Sequence, residues 1–492
     1  MKNKSLAIAS LCGVSFACSA AETKPLRQAQ GRPPVVSMSN SLRQAQGRPN
    51  LIVIMADDLG YADVGFNGCK DIPTPNIDSI ANNGVRFSNA TATFSVCGPS
   101  RAGFITGRYE QRFGFIGNPQ HHEHDRNAGV PKSELNIAES LKQVGYTSGI
   151  IGKWHLGFHR DEHHPLKRGF DEFFGHLGGG SKYFPEDLTI KDCYSAKKWQ
   201  TYNTWMRRGN EPVKTTKYLT DEFSDEALRF VDRHKDEPFF LYLAYNAPHT
   251  PLQATEKYLS RFPNIKDKKR KTYAAMVSAV DDGVGRLMQH LKEQNLEENT
   301  IVFFLSDNGG PESTNSSNNG PLRGEKGSIW EGGIRVPYAV QWKGVVPAGV
   351  TYDKAVTSLD IFATISGLTN SPVNKDKPLD GVNLIPFITG KNDDAPHSAL
   401  YMRMYSANRK MMRSGDYKYV VPGKGKPAEL YNLSKDIGET RNIASQHPEQ
   451  VLTFEKKYQT WAKDLKDPIF IGGWEQQQLD KKKKTKQKAK IK

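Results

Sequence analysis

Two short polar motifs, one a pair of acids and one an acid with an amide, follow directly on apolar runs in this chain. Asp57-Asp58 ends the run Leu51-Ile52-Val53-Ile54-Met55-Ala56, and Asp307-Asn308-Gly309 ends Ile301–Ser306. Two further runs, Tyr146–Gly152 and Phe239–Ala244, lead into Lys153-Trp154-His155 and Ala247-Pro248-His249. Three carboxylates and a carboxamide form an oxygen-rich set suited to one hard cation, Ca2+ or Mg2+. Each motif alone has an ordinary reading: Asp57 and Asp58 can cap a helix, and Asp-Asn-Gly is a turn. The coincidence of four such ends argues otherwise, because open α/β sheets bind ligands outside the carboxyl ends of their strands.

The runs are short and continuously apolar, as strands buried on both faces should be. Helical patterns lie between them, at Asn136–Val144, Asp221–Asp232 and Tyr273–Glu293. Strands alternating with helices imply an α/β domain with a parallel sheet covered by helices, placed at residues 50–394. From about residue 395 the pattern changes. Leu400–Met404 and Tyr417–Val421 read as half-exposed antiparallel strands and Pro448–Leu465 as a helix, giving a smaller α+β subdomain over 395–470.

Length and charge bound the alternatives. The 492 residues carry 68 Lys+Arg against 53 Asp+Glu, a net charge of +15. Residues 1–50 contribute +6 and the last twelve +8, which leaves the body at +1. A basic globular face is therefore not required, and a nucleic-acid partner is not expected. Lys2 and Lys4 precede an apolar stretch, Leu6–Ala17, that ends in small residues. This is the layout of a secretory signal peptide over 1–21, and no segment reaches the ~18 apolar residues of a membrane span. Periplasmic or secreted export is expected, with lipid attachment at Cys18, as an outer-membrane lipoprotein, the alternative. Residues 22–49 repeat Leu-Arg-Gln-Ala-Gln-Gly-Arg-Pro and read as a disordered linker; the Lys-rich residues 471–492 read as a solvated tail.

Outside the leader the cysteines are Cys69, Cys97 and Cys193. Cys97 lies in Ser95-Val96-Cys97-Gly98-Pro99-Ser100-Arg101, with Thr106-Gly107-Arg108 beyond. That surround matches no zinc spacing and no Cys-x-x-Cys pair, and a lone cysteine is by default a small buried hydrophobe. The segment resembles the signature of the type I sulfatase family, in which this cysteine is oxidised after translation to Cα-formylglycine. The resemblance runs from about Asn50 to about Asp467, and the stretch Gly107–Gly114 is most like bacterial carbohydrate sulfatases.

The resemblance implies an alkaline-phosphatase-like fold: a large mixed, mostly parallel sheet sandwiched by helices. It implies one Ca2+ per chain, held by Asp57, Asp58, Asp307, Asn308 and the modified Cys97. Lys153 and His155 in Gly-Lys-Trp-His-Leu-Gly, His249 in Ala-Pro-His-Thr-Pro, Lys326 in Leu-Arg-Gly-Glu-Lys-Gly, and Arg101 match the family's catalytic positions. Arg413–Lys418 and Glu429–Leu433 also resemble family segments. The implied partners are a formylglycine-generating maturation enzyme and a sulfated polysaccharide or oligosaccharide. The chemistry of the residues agrees. A sulfate monoester is an anion, so attack at sulfur needs cations around its oxygens, which Lys153, Lys326, Arg101 and the metal supply. His249 is suited to protonate the leaving alcohol, and His155 to accept the remaining proton from the nucleophile. Two other readings stand beside this one: a phosphomonoester or phosphonate hydrolase of the same superfamily, and a non-enzymatic polyanion binder. His121-His122-Glu123-His124 and His159, His163 and His164 carry no zinc spacing and read first as surface-loop histidines, with a contribution to the substrate pocket the alternative.

Overall fold

Each of the four apolar runs is a strand of one sheet. The computed structural model describes residues 48–119, 127–188, 205–405 and 407–472, all within one unit, Met38–Lys492. The leader, nearly all of the linker and the tail, the run His121–His124, and Cys193 lie outside the described residues.

In chain order the strands are β1 (Asn50–Ala56), β2 (Val85–Phe87), β3 (Ala90–Thr91), β4 (Thr147–Lys153), β5 (Glu172–His176) and β6 (Arg207–Arg208). Next come β7 (Glu211–Pro212), β8 (Phe239–Ala244), β9 (Thr300–Ser306), β10 (Tyr338–Gln341), β11 (Val350–Tyr352) and β12 (Val356–Thr357). Last are β13 (Leu400–Met404), β14 (Arg409–Ser414), β15 (Tyr417–Val421) and β16 (Glu429–Asn432). The 10-stranded sheet is ordered β11-β2-β10-β9-β1-β8-β4-β5-β6-β7. Its five central strands, β9 to β5, are mutually parallel, and antiparallel pairings with β10 and β6 open the two flanks. The chain runs outward from β1 to β4 and β5, returns to insert β8, then crosses to place β9 on the other side of β1. The crevice outside the carboxyl end of β1 is thus the switch point of the sheet.

Both faces of β1 are covered, which is why its sequence does not alternate. Leu51, Val53 and Met55 enter one core with Ala102, Phe104, Ile137, Leu141 and Ile361. Ile52, Ile54 and Ala56 enter the other, with Ile77, Phe223, Phe230 and Val280. The second core is closed by the helices Leu219–His234 and Lys268–Glu293. The latter begins five residues before its apolar periodicity shows, because its first turn is a run of lysine and arginine. Its start is fixed instead by Asp267, whose side chain accepts from the Arg270 N–H at 2.6 Å.

Strands β13 to β16 form an antiparallel sheet of four. One face, with Met412, Tyr419 and Leu430, packs on Phe454, Tyr458 and Trp461 of the helix Pro448–Ala462. The other, with Met402, Met411, Val420 and Tyr431, packs on Phe94, Ile329 and Ile334. Among the described residues no helix is long and apolar enough to cross a membrane.

Candidate active site

Strand register brings the acidic groups together. Ala56 of β1 pairs with Ser306 of β9, so Asp57 and Asp307 follow at the same level. The ladder continues past the strands: Asp307 N–H donates to Ala56 O and Asp57 N–H to Ala247 O, both at 3.1 Å. Asp58 then turns back at φ 65°, where its own N–H meets Asp307 Oδ1 at 3.2 Å. A left-handed aspartate is uncommon and is held only where the surroundings fix it. On the other side, Gly152 pairs with Ala244. A Cβ at Gly152 would lie 1.9 Å from Ala244 O, so glycine alone lets β4 approach β8 closely enough to deliver Lys153.

Lys153 Nζ donates to Asp57 Oδ2 at 2.6 Å. Arg101, on the fully buried helix Cys97–Thr106, sends Nε to Asp307 Oδ2 at 2.9 Å and holds Asp57 Oδ1 at 3.7 Å. The rest of its fork donates to Lys153 O and Tyr242 Oη, both at 3.2 Å. Cys97 opens that helix. Its Sγ lies 3.0 Å from Lys326 Nζ and 4.0 Å from Asp58 Oδ1. Lys326 also donates to Asp58 Oδ1 at 2.5 Å, and Asn308 Nδ2 donates to the same oxygen at 2.7 Å. His249 Nε2 lies 3.6 Å from Asp58 Oδ2, with Nδ1 against Thr250 O at 2.6 Å. His155 follows β4 at φ 58°, fully buried, with its N–H bonded to Leu177 O at 3.1 Å. His249 and Lys326 are 12% and 16% exposed while Asp57, Lys153 and Arg101 are closed off, so a ligand must enter from their side.

The donor set fits a hard cation. Oxygens of Asp57, Asp58 and Asp307 and the Cys97 sulfur lie within 4.8 Å of one another. Asp57 Oδ1 and Asn308 Oδ1 are buried without a hydrogen-bond partner among the described residues. Three carboxylates face Lys153, Lys326 and Arg101, so a divalent ion would leave a net positive centre for an anion.

Burial pushes the Cys97 thiol up to about 12, against Lys153 and Lys326. Burial also raises Asp58, yet Lys326 and His249 outweigh it and hold the carboxyl below its usual value. Burial brings His249 down to about 3, with Asp58 opposing and Lys326 and Lys153 assisting. His155 is likewise pushed far below the usual histidine range by burial and then by Lys153 and Arg101.

Several contributors are invisible in sequence. Tyr242 reads as one more apolar residue of β8, yet its hydroxyl accepts from Arg101. Tyr183 donates a shared bond to Asn246 O and His249 O at 2.6 and 2.7 Å, fixing the His249 turn. Asn118 Oδ1 accepts from Gly98 N–H at 2.8 Å, beside Cys97. His176 stands in register with Lys153 and is fully buried. By contrast, His163 and His164 are buried rather than surface-loop residues, which pushes both down to about 4, and His159 stacks on Phe158.

Comparison with known proteins adds a separate line. Residues 49–371 match the profile of the Sulfatase family. The chain is 36% identical to human N-acetylgalactosamine-6-sulfatase over 368 residues, 70% of this chain and 67% of that protein. It is 31% identical to the uncharacterized sulfatase YdeN of Escherichia coli (strain K12) over 438 residues, 78% of this chain and 74% of that protein. Among solved structures, Ps i-CgsB superimposes with a TM-score of 0.80 at 42% identity, covering 86% of this chain and 94% of that one. The same protein has been solved in complex with k-i-k-neocarrahexaose, and that structure superimposes with a TM-score of 0.80 at 41% identity.

Proposed function

The chain belongs to the sulfatase family, and on that premise we propose that it releases sulfate from a sulfated polysaccharide or its oligosaccharides. In this reading Cys97 is matured to Cα-formylglycine, and one Ca2+ is held by Asp57, Asp58, Asp307 and Asn308 beside it. The observation that carries the reading is the convergence on Cys97 Sγ of Lys326 at 3.0 Å and Asp58 at 4.0 Å, at the mouth of the acidic cluster.

The thiol itself is a poor candidate for chemistry. Raised to about 12 by burial, it stays protonated at neutral pH, whereas the thiolate is the nucleophilic form. Oxidation to an aldehyde would supply an oxygen nucleophile, through its hydrate, at the same place. A bound Ca2+ would neutralise charge on the sulfate oxygens. Lys153, Lys326 and Arg101 are assigned the remaining anionic charge, which grows as the ester bond breaks. His249, on the open side, is assigned proton donation from Nε2 to the leaving alcohol; an incoming sulfate adds negative charge beside it and favours its protonated form. His155, neutral and buried, is assigned acceptance of a proton from the side chain at position 97.

The carbohydrate assignment is supported by the sugar-directed name of the human relative and by the oligosaccharide bound to Ps i-CgsB. Export to the periplasm or medium, with lipid attachment at Cys18 as the alternative, rests on the leader alone. A panel of defined sulfated oligosaccharides, assayed for sulfate release with mass analysis of the peptide around residue 97, tests the reading. Sulfate release from at least one sugar by aldehyde-bearing enzyme is expected. No release from any member of the panel would overturn the substrate class, and full activity from thiol-only enzyme would overturn the nucleophile.

A further inference from the structure

Lys326 has no regular element to hold it. It lies on an irregular stretch between the short helices Glu312–Asn315 and Glu331–Ile334. Its own N–H donates to Gly310 O at 3.4 Å, its neighbour Gly327 donates to Ser95 O at 2.8 Å, and Glu325 on the other side accepts from Ser313 N–H and Oγ at 2.9 and 2.8 Å. A long cationic side chain aimed at one oxygen from a loop needs an external brace.

Beyond these local bonds, bracing comes from the C-terminal sheet. Glu331, fully buried, receives Lys418 Nζ of β15 at 3.0 Å, Arg335 Nε at 2.8 Å and Arg413 Nη1 of β14 at 3.4 Å. Lys418 also reaches Glu439 Oε1 at 2.8 Å, and the second oxygen of Glu439 accepts the Glu331 N–H at 2.7 Å. Glu439 stands at φ 52° and is almost wholly buried. Its carbonyl accepts from Arg323 Nη1 at 3.0 Å, three residues before Lys326, and the same nitrogen reaches Tyr431 Oη at 3.1 Å. Arg323 lies 3.6 Å over the Trp330 ring, whose edge meets Tyr431. Both ends of the 323–331 loop are therefore gripped by one glutamate. The loop is pressed in turn on the acidic cluster: Gly332 N–H donates to Arg323 O, Gly309 N–H to Gly333 O, and a Cβ at Gly309 would lie 1.8 Å from Gly332 O.

We infer that Glu439 and Lys418 are positioning residues for the sulfatase reaction, holding the 323–331 loop so that Lys326 Nζ is aimed at Asp58 and position 97. The inference rests on the assignment of Lys326 to the substrate's sulfate group. A bare structural role would lower stability alone; a positioning role acts through one amine, and a misplacement of ~1 Å can cost on the order of 10²-fold in rate.

The test is a double-mutant cycle on full-length enzyme carrying the aldehyde. Glu439→Gln keeps an acceptor for the Glu331 N–H but sets an amide against Lys418. It is expected to lower kcat/KM on nitrophenyl sulfate by roughly 10-fold or more, and to weaken inhibition by inorganic sulfate in parallel, with calcium content unchanged. In a Lys326→Ala background the same change is expected to cost nothing further. A full additional loss in that background, or normal kinetics of Glu439→Gln beside a damaged Lys326→Ala enzyme, would overturn the inference. Normal kinetics and sulfate inhibition in Lys326→Ala itself would instead overturn the assignment beneath it. Should Glu439→Gln not fold, Arg323→Gln at the exposed end of the grip takes its place, with the same pattern expected.

Discussion

Lys153 Nζ and Asp57 Oδ2 lie 2.6 Å apart, and both side chains are shut off from solvent. Burial raises Asp57 to about 7, with Asp307 and Asp58 adding to it and Lys153 and Arg101 opposing. In metal-free protein the carboxyl is therefore expected to keep its proton to a higher pH than an ordinary aspartate does. Cation binding needs the carboxylate, so Ca2+ binding should release a proton and tighten between about pH 6 and about pH 8. Calorimetric titration in two buffers of different ionisation heat measures both effects. Lys153→Met removes an opposing charge and should move the rise to higher pH. Proton-free, pH-independent binding would show Asp57 already ionised.

Arg101 binds Asp307 through Nε and braces Lys153 O and Tyr242 through Nη1. A lysine cannot reproduce that planar fork. Arg101→Lys is expected to reduce single-turnover sulfate release by about 10²-fold or more while the protein stays folded. Wild-type rates would show that charge alone suffices there.

The two histidines are separable by leaving group. Nitrophenol, with pKa about 7, departs as its anion, whereas a sugar hydroxyl, at about 12–14, needs a proton in the transition state. His249→Ala should depress hydrolysis of a sugar sulfate roughly two orders of magnitude more than that of nitrophenyl sulfate. His155→Ala should slow steady-state turnover of both alike, because its assigned step follows departure of the alcohol. Equal losses on both substrates for His249→Ala would move the acid role elsewhere.

Glu226 offers a pH test outside the site. Burial raises its carboxyl, but Arg208, Arg229 and Arg233 prevail and bring it down to about 2 from the ordinary 4.5. A depressed folded-state value contributes stability that is present above about pH 4.5 and lost as pH falls toward about 2. The arginines are about half exposed, so solvent screening keeps the effect to roughly 1–2 kcal/mol. Glu226→Gln should lower the melting temperature at neutral pH, by an amount that shrinks as pH falls below about 4.5 and vanishes only below about pH 2. A variant that melts like the parent at neutral pH would show the cluster contributes nothing.

The parallel core of the fold was legible because each central strand is buried on both faces, and Leu51–Ala56 or Ile301–Ser306 can be little else. The two-residue strands β6, β7 and β12 carry no such pattern. The same division holds at the site. Asp57, Asp58, Lys153, Asp307 and Arg101 stand at strand ends or in a distinctive segment, and the structure sets them around Cys97. Tyr242 hides inside an apolar run, Glu331 opens a four-residue helix and Glu439 ends a turn, places where acidic residues are ordinary. Their burial follows from contacts across 87 and 108 positions of chain, which no local pattern reports.

Cys97 is wholly buried, and one group that covers it, Lys326, comes 229 positions later in the chain. At ~5–20 residues per second, synthesis of that span lasts roughly 10–50 s. If residue 97 is matured as proposed, the oxidising enzyme would have to reach the thiol within such a window or catch the chain before it closes. Specific activity would then record a race in time: two batches of identical sequence and equal purity would differ by how long residue 97 waited uncovered, and slower growth would yield the more active one.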